Sequence, residues 1–317
     1  MDNTFIIAEV GPNHNGSIKL AEELINKLVS TDVDAIKFQL ANPSYIYSKD
    51  AYKAEYQKKN DKEISPLKMS QNFQLTHSQH EHLSKKCNEN GVEYMCTGFD
   101  IESLKFLNED LNISRFKIPS GEIFSVDLLD YIKKFDKPII MSTGMAKLSD
   151  IKNIISYLKT GMNKDITVLH CVSNYPAPLK DVNMQFMKSI ENECSVQVGF
   201  SDHTINNLSS ITAVSMGATI IEKHVTLDKN LPGPDHKSSS TIDQSNTLSF
   251  EQIAVDAQKQ MQASNFLEGY RKGVRIVKGS KEYARCFICP YVKIDANTEL
   301  VSKMVTRQKG EIPYIQT

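Results

Sequence analysis

Residues 196–224 read VQVGFSDHTINNLSSITAVSMGATIIEKH. An apolar run leads to Ser201 and His203, a stretch of helical spacing covers about 205–216, Gly217 stops it, and a second apolar run ends at His224. This is one strand–helix–strand unit with polar, chemically capable residues at both strand ends. The unit recurs. FIIAEVG (5–11) carries Glu9, DAIKFQ (34–39) carries Lys37 and Gln39, and VEYMCT (92–97) ends at Thr97. RFKIPSGE (115–122) carries Lys117, Ser120 and Glu122, PIIMSTG (138–144) carries Ser142, and ITVLHCVS (166–173) ends at Ser173. Eight such repeats predict an α/β chain of the (β/α)8 TIM-barrel class, whose C-terminal strand ends converge on one mouth.

The 317 residues exceed the roughly 250 that a barrel of this kind uses. Residues 1–266 are read as the barrel and 267–284 as a basic, irregular linker. Residues 285–317 are read as a short β-type segment, too small to be stable alone. Helices are expected near 17–30, 77–90, 100–110, 125–135, 149–159, 183–191, 205–216 and 250–264, with Gly91, Gly161 and Gly217 as stops. The rhythm breaks once, from about residue 40 to 75, in a polar, tyrosine-rich stretch containing KAEYQKKN. Because that stretch leaves the end of the second strand, it reads as a loop covering a substrate. An open Rossmann-like sheet would alternate similarly, but GPNHNG (11–16) does not match GxGxxG.

A net charge of −1 points away from nucleic acid, so an anionic ligand would need a local pocket. No apolar run reaches the roughly 20 residues of a membrane span, and MDNTFIIAEV reads as a first strand, not as a signal peptide. Six cysteines without a regular framework read as free thiols in a reducing cytoplasm. The lone CxxC of Cys286 and Cys289 lacks a second ligand pair.

His203 and His224, 21 residues apart at adjacent strand ends, could share a divalent metal or simply satisfy local hydrogen bonds. Lys37 and Lys117 lie among apolar neighbours, where an ammonium is costly without an anion. With the hydroxyls of Ser120, Ser142, Ser173 and Ser201 they describe a pocket for phosphate or carboxylate. Salt bridges to Glu9 or Glu222 are the plainer reading, and a Schiff-base lysine is a rival one. Glu122 could move protons or orient a substrate. Glu9 reads as a structural partner of a lysine. His14 could cap a helix or face the mouth, and Asp235 in PGPDHK could grip hydroxyls or hold a turn.

The strings IIAEVGPNHNG, DAIKFQ, KAEYQ, FKIPSGE, STGMA, HCVSNYPAP, VGFSDHT, IEKHVTLDKNLPGPDHK and KMVTRQKG closely resemble the bacterial sialic acid synthase family, in order from about residue 5 to 310. The KFQ, KAEYQ and PGPDHK forms are closer to its neuraminate and legionaminate branches than to pseudaminate synthases. The resemblance implies a synthase that condenses phosphoenolpyruvate with a 2-acetamido aldose, N-acetylmannosamine or 2,4-diacetamido-6-deoxy-mannose. The products are a nine-carbon 2-keto acid and phosphate. It implies Mn²⁺ or Mg²⁺ on His203 and His224, and a catalytic Glu122. It further implies a phosphoenolpyruvate pocket of Lys37, Thr97, Lys117, Ser120, Ser142, Ser173 and Ser201, and sugar contacts from Gln39, Asn60, Tyr175 and Asp235. Leu40 and Gly98 depart from the family's threonine and proline without removing a reacting group. The family ends in an antifreeze-like domain that reaches into the partner of a domain-swapped homodimer. About half of it is represented here, including Arg307, the match to an arginine that caps the sugar's acyl group. The rivals are a Schiff-base pyruvate aldolase and a catalytically weakened sugar-binding homologue.

Overall fold

The computed structural model describes residues 4–31, 33–47, 51, 53–60, 65–160 and 165–242, with the backbone of three short strands beyond. Eight parallel strands make the framework: β1 (Phe5–Glu9), β2 (Ala35–Leu40), β3 (Glu93–Gly98), β4 (Phe116–Ile118), β5 (Ile139–Ser142), β6 (Ile166–Cys171), β7 (Gln197–Asp202) and β8 (Ile220–Thr226). Their order is β3-β2-β1-β8-β7-β6-β5-β4, and β3 lies beside β4, which brings the sheet round into the expected (β/α)8 barrel. A two-residue strand β9 (Ser240–Thr241) pairs in parallel with the end of β8. The strands β10 (Ile276–Gly279), β11 (Tyr283–Cys286) and β12 (Lys293–Asp295) form a separate antiparallel sheet. The expected helix at 250–264, the stop at Gly161 and Arg307 lie outside the described residues.

Five of the helices begin where a polar side chain takes one of the first free N–H groups. In α1 (Ile18–Leu28) the Ser17 side chain accepts from Leu20 N–H, and Ala21, Leu24, Ile25 and Leu28 are buried on one face. Residues 40–75, expected as a loop, instead hold α2 (Pro43–Ile46), α3 (Glu55–Asn60) and α4 (Pro66–Asn72). Two of these start at Asn42-Pro43 and Ser65-Pro66, where the cap accepts a backbone N–H and proline takes the first turn. The remaining helices are α5 (His77–Glu89), α6 (Ile101–Lys105), α7 (Val126–Ile132), α8 (Leu148–Lys159), α9 (Gln185–Cys194) and α10 (Leu208–Ser215). A π-helical turn, Phe106–Asp110, extends α6.

Two apolar assemblies result. The larger lies between strands and helices. The smaller fills the barrel interior with Ile7, Ala35, Met95, Ile140, Leu169 and Ile220, one from each of six strands. On β7 the position facing this plug is Gly199, where a Cβ would meet Ile220 O at 2.4 Å and Leu169 Cδ2 at 2.6 Å. Side chains alternate between the faces of a strand, so the residues two steps after the plug point into the mouth.

Gly199→Ala should therefore overpack the plug and destabilise the chain by about 1–3 kcal/mol, read as a lower urea midpoint. Gly121→Ala, where an added Cβ meets nothing within 4 Å, should leave that midpoint unchanged.

Candidate active site

Two residues above the plug stand Glu9, Lys37, Thr97, Ser142, Cys171 and Glu222, joined by Lys117 from β4 and Ser201 from β7. All eight are buried. The Glu222 carboxylate is the hub. It lies 3.4 Å from Lys117 Nζ and 3.5 Å from Lys37 Nζ, and accepts from Ser201 Oγ at 2.9 Å. Lys37 also pairs with Glu9 at 2.7 Å and donates to Thr97 Oγ1 at 3.2 Å. Lys117 donates to Ser142 Oγ at 2.9 Å, and Gln39 Nε2 donates to Glu9 Oε1 at 2.7 Å. The plainer reading of the two lysines as internal ion pairs is thus what the geometry contains, with the hydroxyls around the same ammonium groups.

Burial opposes charge throughout this layer, and the partners decide the outcome. Burial disfavours ionised Glu222, but Lys117 and Lys37 outweigh it and hold its carboxyl well below the usual range. Burial works against the Lys37 ammonium too, yet Glu222 and Glu9 raise its pKa. At Lys117 burial wins and lowers the pKa, despite Glu222. Glu9 is pushed up by burial, which Lys37 only partly offsets. The layer therefore holds two ammonium groups against one firmly ionised carboxylate and one that takes a proton more readily. That balance suits an incoming anion.

Two residues further out stand Gly11, Gln39, Gly144, Ser173, His203 and His224. The rings of His203 and His224 lie 5.6 Å apart, and Tyr175 packs against both, at 4.1 and 5.6 Å. His203 Nδ1–H donates to Val172 O at 2.7 Å, which leaves Nε2 as an acceptor. Burial works against protonating His203, but Cys171 at 3.8 Å and the Val172 carbonyl raise its pKa, so a cation there would compete with a proton. Burial, then His203 and Lys37, hold His224 well below the ordinary imidazole range. Its buried Nδ1 has no hydrogen-bond partner. A fixed tautomer on one ring and an orphaned nitrogen on the other fit a divalent cation. Among the described residues no group of three or more His, Cys, Asp or Glu could hold a metal, so water or substrate oxygens would complete its shell.

Asp235 reaches His224 Nδ1 at 3.8 Å, and burial, then Glu9, push its carboxyl up to about 7 against the pull of His203. Asn60 on α3 donates to Pro234 O at 3.1 Å, so the long second connection touches the loop carrying Asp235. Ser120 Oγ accepts from Gly144 N–H at 2.8 Å. Glu122 is half-buried and accepts from Ser125 Oγ. His14 is buried and accepts from Gly16 N–H at 3.1 Å, so it caps this loop.

Sequence reasoning missed Cys171 and Gly144. A Cβ at Gly144 would meet Ser173 Oγ at 2.3 Å, Cys171 Sγ at 3.0 Å and Ser120 Oγ at 3.1 Å, so only glycine lets these three side chains converge on the backbone there. The signal was available as strand parity, since Cys171 precedes Ser173 by two and Gly144 follows Ser142 by two.

The NeuB family model matches residues 24–262. An N,N'-diacetyllegionaminic acid synthase of Campylobacter jejuni is 45% identical over 247 residues, covering 75% of this chain and 72% of that protein. One from Legionella pneumophila is 43% identical over 240 residues, covering 74% and 67% respectively. The crystal structure of an N-acetylneuraminic acid (sialic acid) synthetase from Leptospira borgpetersenii, in complex with citrate, superposes with a TM-score of 0.74. It is 25% identical, and the match covers 85% of this chain and 92% of that one.

Adding a methyl at Gly144 tests whether this crowded corner seats an anion. Gly144→Ala should push the exposed Ser173 hydroxyl aside and lower the urea midpoint less than Gly199→Ala does, because the nearest atom it meets ends a side chain and is not backbone. Inorganic phosphate or phosphoenolpyruvate should bind about tenfold more weakly, a loss near 1.4 kcal/mol measurable by calorimetry.

Proposed function

The chain belongs to the NeuB family, and from that premise we propose that it condenses phosphoenolpyruvate with an open-chain 2-acetamido aldose, giving a nine-carbon 2-keto acid and phosphate. One observation carries this: Lys37 and Lys117, ringed by hydroxyls, lie directly beneath two metal-competent imidazoles. Lys37, Thr97, Lys117, Ser120, Ser142, Ser173 and Ser201 are assigned to phosphoenolpyruvate. Its phosphate and carboxylate would compete with Glu222 for the Lys117 ammonium, a contact loose enough at 3.4 Å to be shared. Gln39, Asn60, Tyr175 and Asp235 are assigned to the sugar.

In the proposed reaction the enol carbon bonds to the aldehyde carbon, water adds at the phosphate-bearing carbon, and phosphate leaves with C–O cleavage. Mn²⁺ or Mg²⁺ on His203 and His224 would polarise the aldehyde. The lysines and serines hold the enol phosphate in reach of the aldehyde, which converts an encounter into an oriented pair. Glu122 is assigned proton transfer, because a half-buried carboxylate at the rim can exchange protons with solvent between turnovers. The names of the two legionaminate relatives favour 2,4-diacetamido-6-deoxy-mannose over N-acetylmannosamine as the acceptor.

Arg307, outside the described residues, is assigned as an acyl cap reaching across a homodimer from the 285–317 segment. The setting is assigned to the cytoplasm. No helix among the described residues is long and apolar enough to cross a membrane, and the four described cysteines are free thiols. The rival Schiff-base aldolase draws on the lowered pKa of Lys117. Borohydride trapping with pyruvate would favour it, and a requirement for metal would count against it.

Phosphate should appear only when phosphoenolpyruvate and an acceptor are both present, faster with the diacetamido sugar, and EDTA should stop it until Mn²⁺ is restored. Phosphate release unaffected by thorough chelation would refute the metal assignment, and His203→Ala or His224→Ala should abolish turnover while leaving the fold intact. Glu122→Gln should keep phosphoenolpyruvate binding and lower kcat roughly 10²–10⁴-fold; an unchanged kcat would reduce Glu122 to an orienting role.

A further inference from the structure

Between the inward pairs Ser201–Glu222 and His203–His224 runs a pair on the opposite face. Asp202 and Lys223 are register partners on β7 and β8, and their side chains meet at 2.8 Å, away from the mouth. The Lys223 ammonium also donates to Thr204 O at 2.9 Å and Asn206 O at 3.1 Å, so its three N–H groups have three acceptors. Asp202 is equally occupied. Its Oδ1 accepts from Thr204 N–H at 2.8 Å, and its Oδ2 accepts from Ser210 Oγ on α10 at 2.5 Å.

His203 lies one residue beyond β7, where no ladder bond to β8 holds it. Lys223, the residue before His224, therefore binds the residue before His203 through its side chain and the residue after it through its carbonyl. The covalent neighbours of one imidazole are locked to the covalent neighbour of the other.

We infer that Lys223 and Asp202 are positioning residues that set the separation of His203 and His224 from the outer face of the barrel. The inference rests on the proposed reading of the two histidines as metal holders. Neither side chain touches the mouth, so their effect passes through the backbone. A bound cation tolerates little change in ligand spacing, and groups that orient ligands are worth roughly 10–100-fold in metal affinity.

The test is Mn²⁺ binding to the intact chain without substrates, followed by the EPR signal of free Mn²⁺. Lys223→Met should weaken binding about 10–100-fold, with Asp202→Asn in between. Lys223→Arg should recover part of the loss, because a guanidinium can still donate to several acceptors. The KM for phosphoenolpyruvate should stay near its wild-type value, since the buried lysine layer is untouched. Wild-type Mn²⁺ affinity in Lys223→Met would overturn the positioning role, and so would a parallel loss in both measurements, which marks general loosening. Equal binding by the wild-type chain and His203→Ala would instead overturn the metal reading itself. If Lys223→Met does not fold, the affinities of Asp202→Asn and Lys223→Arg decide on the same comparison.

Discussion

Everything at the mouth hangs on the Glu222 carboxylate and the two ammonium groups that compete for it. One buried anion ties β8 to β2 through Lys37, to β4 through Lys117 and to β7 through Ser201. A buried charge survives only when it is partnered, and here each of the four charged groups, Glu9, Lys37, Lys117 and Glu222, has at least two polar partners. The arrangement fixes the strand ends against one another and also leaves Lys117 under-attracted. A site built to receive an anion needs that imbalance. A perfectly matched quartet would have nothing to offer a ligand.

The barrel was legible because its signal is repetitive. Eight apolar runs separated by helical spacing leave little choice of architecture, and the strand-end residues follow from it. The polar connection after β2 was harder. Its short helices depend on caps at Asn42 and Ser65, which a reading for apolar periodicity passes over. The site was legible in part. Lys37, Lys117, Ser142, Ser201, His203 and His224 stand out because polar groups in apolar runs are conspicuous. Cys171 and Gly144 do not, because a thiol passes for an apolar residue and a glycine carries its meaning only in what surrounds it. Applying the two-residue parity of the strands would have found both.

That same parity explains why chemistry and support coexist so tightly on β7 and β8. Successive residues alternate between the mouth and the helical shell, so every inward group has a neighbour facing α10 or the adjacent loop. Ser201 and Glu222 serve the buried layer while Asp202 and Lys223, one step on, serve the outside. A reader scanning for reactive side chains sees SDH and EKH as clusters. The fold separates their members onto opposite faces.

The hydrogen bond from Asn60 to Pro234 O links two connections to each other and neither of them to a strand. In the proposed assignment, two of the four sugar contacts, Asn60 and Asp235, sit on that linked pair, and five of the seven groups that handle the enol phosphate sit on strands. Selection can then redraw acceptor preference by editing surface chain, with the reacting layer shielded from the change. Divergence among chains of this build should accordingly concentrate in the second and eighth connections, so that new sugars are acquired without reinventing the bond-forming step.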